Sequence, residues 1–262
     1  MLRRAVPLAT CILATISGCN GPKSVPMTST PLPAESASKL PEPAREPFVL
    51  VELFSSEGCS SCPPADRAVN TLVTGTKRRV FVLEWHVDYW DYLGWRDPYS
   101  SEFATDRQKA YVDTWATRSV YTPMAVVQGA EHHGGLGSAL DTQINAALAV
   151  SPSAFVTIAP RSPSANPLVV DYRTEGATES EVLVVVVERG LVSAVKRGEN
   201  AGETLRHENV VRAWAHGRSG AATVELTVPS DVNREASSII AIVLDPTTKK
   251  PTGANEWRFD AR

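Results

Sequence analysis

The stretch that most constrains this chain is Phe48 to Cys62, reading FVLVELFSSEGCSSC. Its apolar run, rich in β-branched and aromatic residues, reads as a buried strand, and Gly58 supplies a turn at its end. Cys59-Ser60-Ser61-Cys62 follows, then Pro63-Pro64 and a helical pattern. A strand, a Cys-x-x-Cys and a helix in that order are the physical setting for a reactive dithiol. The first sulfur stands at a helix N-terminus, where free N–H groups and the positive end of the dipole favour thiolate over thiol. The second lies one turn further on, within reach for a disulfide.

The cysteine inventory sharpens this reading. Of the four cysteines, Cys11 and Cys19 fall in an apolar N-terminal segment, and Cys59 and Cys62 form the motif. After processing, the one pair able to close within a chain is Cys59–Cys62, which excludes a four-cysteine zinc site. A length of 262 residues allows two domains of ordinary size. A hydrophobic content of 43%, with 21% charged residues and a net charge of -3, is that of a globular protein with no basic footprint for nucleic acid.

Residues 1–19 read as an address. Arg3 and Arg4 precede an apolar stretch from Ala5 to Ile16, which ends in Ile16-Ser17-Gly18-Cys19. That is the layout of a secretory signal. Its last four residues resemble a bacterial lipobox, which implies a lipidated Cys19 and a membrane anchor; the alternative is an ordinary signal peptide. Asn20 after the cysteine resembles the sorting pattern of Gram-negative outer-membrane lipoproteins, so the expected location is the cell envelope, facing the periplasm. Residues 20–47 hold seven prolines among Ser, Thr, Ala and Glu, and are expected to form a semi-stiff tether.

From Phe48 the expected elements alternate. Phe48–Phe54 is a strand, Ala65–Val73 a helix, Val80–Trp85 a strand and Ser101–Thr117 a helix with Ser100 or Ser101 as N-cap. Met124–Val127 is a strand, Glu131–His133 a short strand, and Leu136–Val150 a last helix. This order, with the dithiol after the first strand, resembles the thioredoxin fold, and Thr122-Pro123 stands where that fold places a cis-proline beside its sulfurs. An ordinary trans turn is the other reading of that pair. The segments VELFSSEGCSSCPPADR, HVDYWDYLGWRDP and RSVYTPMAVVQG resemble the DUF1223 family, bacterial secreted thioredoxin-like proteins of uncharacterised function. Met124 and Ala125 depart from the family's usual Gln and apolar residue there. The segments Arg197-Gly-Glu-Asn and Thr204 to Arg212 resemble the same family.

The resemblance implies a set of roles. Cys59 is the expected nucleophile at the exposed end of the motif, and Cys62 the more buried resolving thiol. A buried carboxylate is expected to accept the resolving thiol's proton; Glu52 is the candidate by position and Glu84 the alternative. His86 to Trp95 carries five aromatic or imidazole side chains and follows the second strand. It reads as a substrate-facing loop, with Trp90 and Trp95 joining Thr122 and Pro123 as binding residues and His86 tuning the thiolate. A packed loop completing a small core is the alternative.

From Ser151 to the end, short β-rich runs recur about every dozen residues, which suggests an antiparallel sandwich acting as an accessory module. The expected fold is therefore an α/β thioredoxin-like domain over 48–150 followed by an all-β sandwich-like domain over 151–262. The leading function is a thiol–disulfide oxidoreductase acting on extracytoplasmic protein thiols or disulfides. It would need no cofactor beyond its own disulfide, and a redox donor or acceptor protein as partner. The alternative is a Cu(I)-binding metallochaperone using Cys59, Cys62 and His86, since soft ligands select that ion. A non-catalytic binding protein is a third class.

Overall fold

The computed structural model describes residues 29–75, 79–116, 119–132 and 137–259. The signal segment 1–19, Cys19 and the first part of the Pro-rich stretch lie outside the described residues.

In chain order the first half contains β1 (Thr30–Pro31), α1 (Ala34–Ala37), β2 (Val49–Ser55), α2 (Pro63–Gly75), β3 (Val80–His86), α3 (Glu102–Thr114), β4 (Met124–Val127), β5 (Ala130–Glu131) and α4 (Ser138–Leu148). The second half contains β6 (Phe155–Pro160), β7 (Leu168–Glu175), β8 (Glu181–Glu188), β9 (Leu191–Ala194), β10 (Thr204–His207), β11 (Val210–Arg218), β12 (Ala221–Leu226), β13 (Ser237–Leu244) and β14 (Pro251–Arg258). Among the described residues, no helix is long and apolar enough to cross a membrane.

These strands form one eight-stranded sheet in the order β14-β13-β8-β11-β3-β2-β4-β5, a four-stranded sheet β1-β12-β7-β6, and the ribbon β10-β9. β3 lies between two parallel neighbours, β2 on one side and β11 on the other. Because side chains alternate along a strand, β2 covers two cores at once. Val49, Val51 and Leu53 meet Ala65 and Val69 of α2 and Leu140 and Ile144 of α4. Leu50 and Phe54 face α3, in a cluster that runs on without a break to Leu183, Val185, Ile240 and Ile242 of the second half. Phe103 stacks on Trp214 across that boundary, with ring centroids 4.4 Å apart.

An α/β thioredoxin-like domain followed by a separate all-β sandwich is therefore not the fold of this chain. The structure is mostly β, and its largest sheet draws strands from both sides of residue 150. The runs after Ser151 do become strands, but β8, β11, β13 and β14 extend the sheet begun by β2 to β5. Only β6, β7 and β12 build a second layer, whose Val156, Leu168, Val170 and Val224 pack on Val182, Val184 and Val186 of β8. The physical reason is that β8 is apolar on both faces, so it needs cover on each side. The second sheet covers one face, and the cluster containing α3 covers the other.

The second part of the stretch read as a tether is also engaged. Thr30–Pro31 pairs with β12, and Leu32, Ala37 and Leu40 pack against Ala159 and Ala221. Three apolar residues and the pairing with β12 fix a segment whose composition alone reads as solvated.

A shared core predicts shared folding. Residues 29–150 expressed alone lose the β11 partner of β3 and the far half of the apolar cluster. Urea unfolding followed by circular dichroism should show no cooperative transition for that piece, and a single transition for 29–259.

Candidate functional site

Cys59 and Cys62 form a disulfide, with their Cα atoms 5.4 Å apart, at the entrance to α2. The Cys62 carbonyl accepts from the N–H groups of Ala65 and Asp66, the first bonds of that helix. Both cysteines are fully buried, so Cys59 is no more exposed than its partner. Ser60 and Ser61 between them are exposed.

What covers the sulfurs comes from the second half. The loop between β9 and β10 lies over the motif. Asn200 Nδ2 donates to the Glu57 carbonyl at 2.8 Å and to the Cys59 carbonyl at 2.9 Å. Glu199 Oε2 accepts from the Ser60 N–H at 3.0 Å and from the Ser60 hydroxyl at 2.7 Å. Gly58 lets the aromatic loop come close, since a Cβ there would sit 3.1 Å from Trp90 Cβ, and Gly198 in the capping loop has φ +77°, a conformation that favours glycine.

Behind the disulfide lies a buried set of carboxylates and imidazoles. Glu84 and His86 leave the same face of β3, two residues apart. Glu84 Oε1 is 3.2 Å from His86 Nε2 and 2.7 Å from His207 Nδ1, at the end of β10. Asp97 Oδ2 is 2.6 Å from His86 Nδ1 and also accepts the Glu57 N–H at 2.8 Å. Glu57 Oε2 accepts from Trp95 Nε1 at 2.7 Å. Asp66 accepts from the Ser55 hydroxyl at 2.6 Å.

Burial and neighbours push these groups apart. Burial opposes the charge on His86, but Asp97 and Glu84 outweigh it and hold its pKa well above the usual imidazole value. Burial likewise opposes charge on His207, yet Glu84 and Glu57 raise it to about 9. Burial raises Glu84, and the two histidines more than reverse this, bringing it to about 2. At Asp66, burial first and then the Glu84 charge outweigh His207, the Ser55 hydrogen bond and His86, and push it up to about 7.

The sequence-derived candidates divide between two places. Trp90 Nε1 donates to Thr122 Oγ1 at 2.7 Å, which ties the aromatic loop to the residue before Pro123; that peptide bond is cis. Trp95 reaches Glu57, and His86 joins the buried cluster. Both ring nitrogens of His86 meet carboxylates, and Cys59 and Cys62 are closed on each other in the disulfide. Glu52 stands elsewhere, on the opposite face of β2 from α2. Arg107 grips it with Nε and Nη2, Trp85 Nε1 donates to it at 2.9 Å, and the Tyr111 hydroxyl donates as well. Removing one member of such a buried pair strands a charge and costs about 3–5 kcal/mol.

With this geometry in view, the chain was compared with known proteins. The family described as a protein of unknown function (DUF1223) matches residues 50–244. The chain belongs to that family. The family match takes in Cys59, Cys62, the buried cluster and the capping loop, so the site lies wholly within it. No functionally curated protein matches. The crystal structure of a protein from Agrobacterium tumefaciens is similar at 26% identity and a TM-score of 0.61, over 84% of this chain and 98% of that one. HBP35 of Porphyromonas gingivalis is similar at 14% identity and a TM-score of 0.61, over 84% of this chain and 77% of that one, which bears on the fold alone.

Sequence reasoning missed Glu57, Asp66, Asp97, Asn200 and His207. Asp66 carried a usable signal, since it lies four residues after Cys62 and so on the same helix face. His207 and Asn200 lie in the two later segments that resemble the family, but only the pairing of β11 with β3 brings them to the motif.

The capping contact makes a direct prediction. Asn200→Ala removes the donor to the Glu57 carbonyl and leaves the Cys59 carbonyl with the Cys62 N–H, and should cost about 1–3 kcal/mol in urea unfolding. It should also speed reduction of the disulfide by dithiothreitol, as measured by thiol release under native conditions.

Proposed function

We propose that this DUF1223 protein is a thiol–disulfide oxidoreductase of the cell envelope, exchanging Cys59–Cys62 with protein thiols or disulfides. The observation that carries this reading is the disulfide at the entrance of α2, with the buried Asp66 in the first turn of that helix. A dithiol at a helix entrance has beside it, one turn on, a buried carboxyl poised near neutrality at about 7. A group with that pKa both gives and takes a proton at physiological pH, which general acid–base chemistry requires.

In the reducing direction, Cys59 thiolate attacks a substrate sulfur. The substrate S–S bond breaks, one substrate thiolate leaves, and a mixed disulfide forms. Asp66 carboxylate takes the proton from the Cys62 thiol, and Cys62 thiolate attacks Cys59 Sγ. The Cys59–Cys62 bond re-forms as the second substrate thiolate departs, so two electrons pass from protein to substrate. Oxidation of a substrate dithiol runs the same steps backwards, and the reduction potential of the couple sets the direction. A donor or acceptor protein of matching potential completes the cycle. The cis Thr122–Pro123 edge with Trp90, and Tyr92, which is 80% exposed, form the surface that receives the partner chain. Lipidation of Cys19 would hold the protein at a membrane, in the outer membrane of a Gram-negative cell.

Equilibration with glutathione tests the reading. A potential near -270 mV marks a reductase and one near -120 mV an oxidant. Failure of Cys59 and Cys62 to exchange with glutathione at any ratio overturns the proposal.

Asp66→Asn isolates the proton step. It should slow release of a trapped mixed disulfide roughly 10²-fold, and flatten the pH dependence of that step near 7. Stability should respond with a defined sign. Asp66 titrates at about 7 when folded against 3.8 for the free group. The wild type therefore loses stability as pH climbs between those values, and the Asn variant, lacking the penalty, gains on it in thermal unfolding across that window.

A further inference from the structure

The buried cluster behind the disulfide brings two imidazoles and a carboxylate together at one point. Glu84, His86 and His207 each present one ligand-type atom, and these atoms lie within 4.8 Å of one another. All three side chains are fully buried. Two imidazoles and one carboxylate form a donor set suited to a divalent transition-metal ion of zinc type.

The outer layer fits as well. Histidines that hold a metal commonly present their remote nitrogen to a carboxylate, which fixes the ring and its tautomer. Asp97 Oδ2 stands 2.6 Å from His86 Nδ1, the nitrogen facing away from Glu84. Glu57 Oε1 stands opposite His207 Nε2 in the same relation, at 3.4 Å. Each imidazole thus has Glu84 on one side and a second carboxylate on the other.

Glu57 Oε1 and His207 Nε2 are both buried and face each other at 3.4 Å, beyond the usual hydrogen-bond distance. At the same time His207 Nδ1 is 2.7 Å from Glu84 Oε1, whereas two ligands of a tetrahedral zinc ion stand about 3.3 Å apart. One small movement changes both distances. The nitrogens point to nearly opposite sides of the ring, so moving His207 about 0.5 Å away from Glu84 opens the ligand pair to metal spacing. The same movement brings Nε2 into hydrogen-bond range of Glu57. The distance from Glu84 to His86 Nε2, at 3.2 Å, is already suitable.

We propose that Glu84, His86 and His207 form a binding site for a single divalent transition-metal ion, with Asp97 and Glu57 orienting the two histidines. The site uses no sulfur and does not rest on the redox reading. Three protein ligands leave room for a fourth, non-protein ligand on the ion. The ligands come from β3 and β10, so an ion there also clamps the second half of the chain to the strand beside the dithiol.

The test uses the full chain with its disulfide closed and its remaining thiols alkylated, so that no thiolate competes. After treatment with a chelator the protein is titrated with Co²⁺ alone. The expected result is uptake of one equivalent with visible d–d bands of a low-coordinate site, no sulfur-to-cobalt charge transfer, and displacement by one equivalent of Zn²⁺. His86→Gln and His207→Gln should each abolish the bands, while His216→Gln, at a buried imidazole outside the cluster, should retain them. Absence of stoichiometric uptake by the folded protein overturns the proposal, and so does retention of the bands in both cluster variants. Should those variants fail to fold, X-ray absorption on the zinc-loaded wild type decides. A first shell containing two imidazoles supports the site, and one of sulfur or of oxygen alone refutes it.

Discussion

The arrangement around the dithiol depends on a short parallel pairing between β3 and β11. Val210 and Glu84 are its register pair, and the Glu84 N–H donates to the Asn209 carbonyl at 3.0 Å. So brief a ladder needs reinforcement, which Asn209 and Glu84 supply through side chains. Asn209 Nδ2 donates to the Val82 carbonyl at 3.1 Å, and Glu84 Oε2 accepts from the Glu208 N–H at 3.3 Å. Asn209 has φ +54°, a left-handed conformation that asparagine tolerates better than most residues, and it turns the chain from β10 into β11. Through this junction the second half delivers His207 to the buried cluster and Asn200 to the dithiol loop.

The local elements of the first half were legible because each is written in contiguous residues. The expected strand at Met124–Val127 forms there, and Ser101 caps α3 by accepting the Ala104 N–H. The strand entering the dithiol ends at Ser55, one residue beyond the apolar run that marks it. Which strands would become neighbours was not legible. Nothing in the alternation of Val210 to Arg218 distinguishes a partner in a detached sandwich from a partner of β3. β8 carried a clue in its six consecutive apolar residues, since a run buried on both faces needs two covering layers.

The site was legible in the same proportion. Cys59 and Cys62 declare themselves by spacing, and Trp90 and Thr122 by lying at loop ends on the same side of the sheet. Glu52 misleads because the sequence shows a carboxylate on the correct strand but not its face. Alternation places it with Leu50 and Phe54, under α3, where Arg107 neutralises it. Under the proposed reaction, the proton-accepting role expected of Glu52 falls to a carboxylate of α2, reached by helix periodicity. Two sorts of chemistry then lie close together: a sulfur pair under the capping loop, and a nitrogen–oxygen pocket behind it. Their shared elements are the Glu57 backbone, whose carbonyl meets Asn200, and the Glu57 side chain, which faces His207.

The hydrogen bonds from Asn200 also order events in time. Cys59 and Cys62 leave the ribosome some 140 residues ahead of the asparagine that holds their loop, as the sequence separations of 143 and 141 for its two bonds record. For that whole interval the thiols travel uncovered, without the carbonyl clamp and without His207 behind them. A nascent chain halted before Asn200 thus lacks the donor that holds the Glu57 and Cys59 carbonyls, and only the finished chain closes that loop over its buried cysteines.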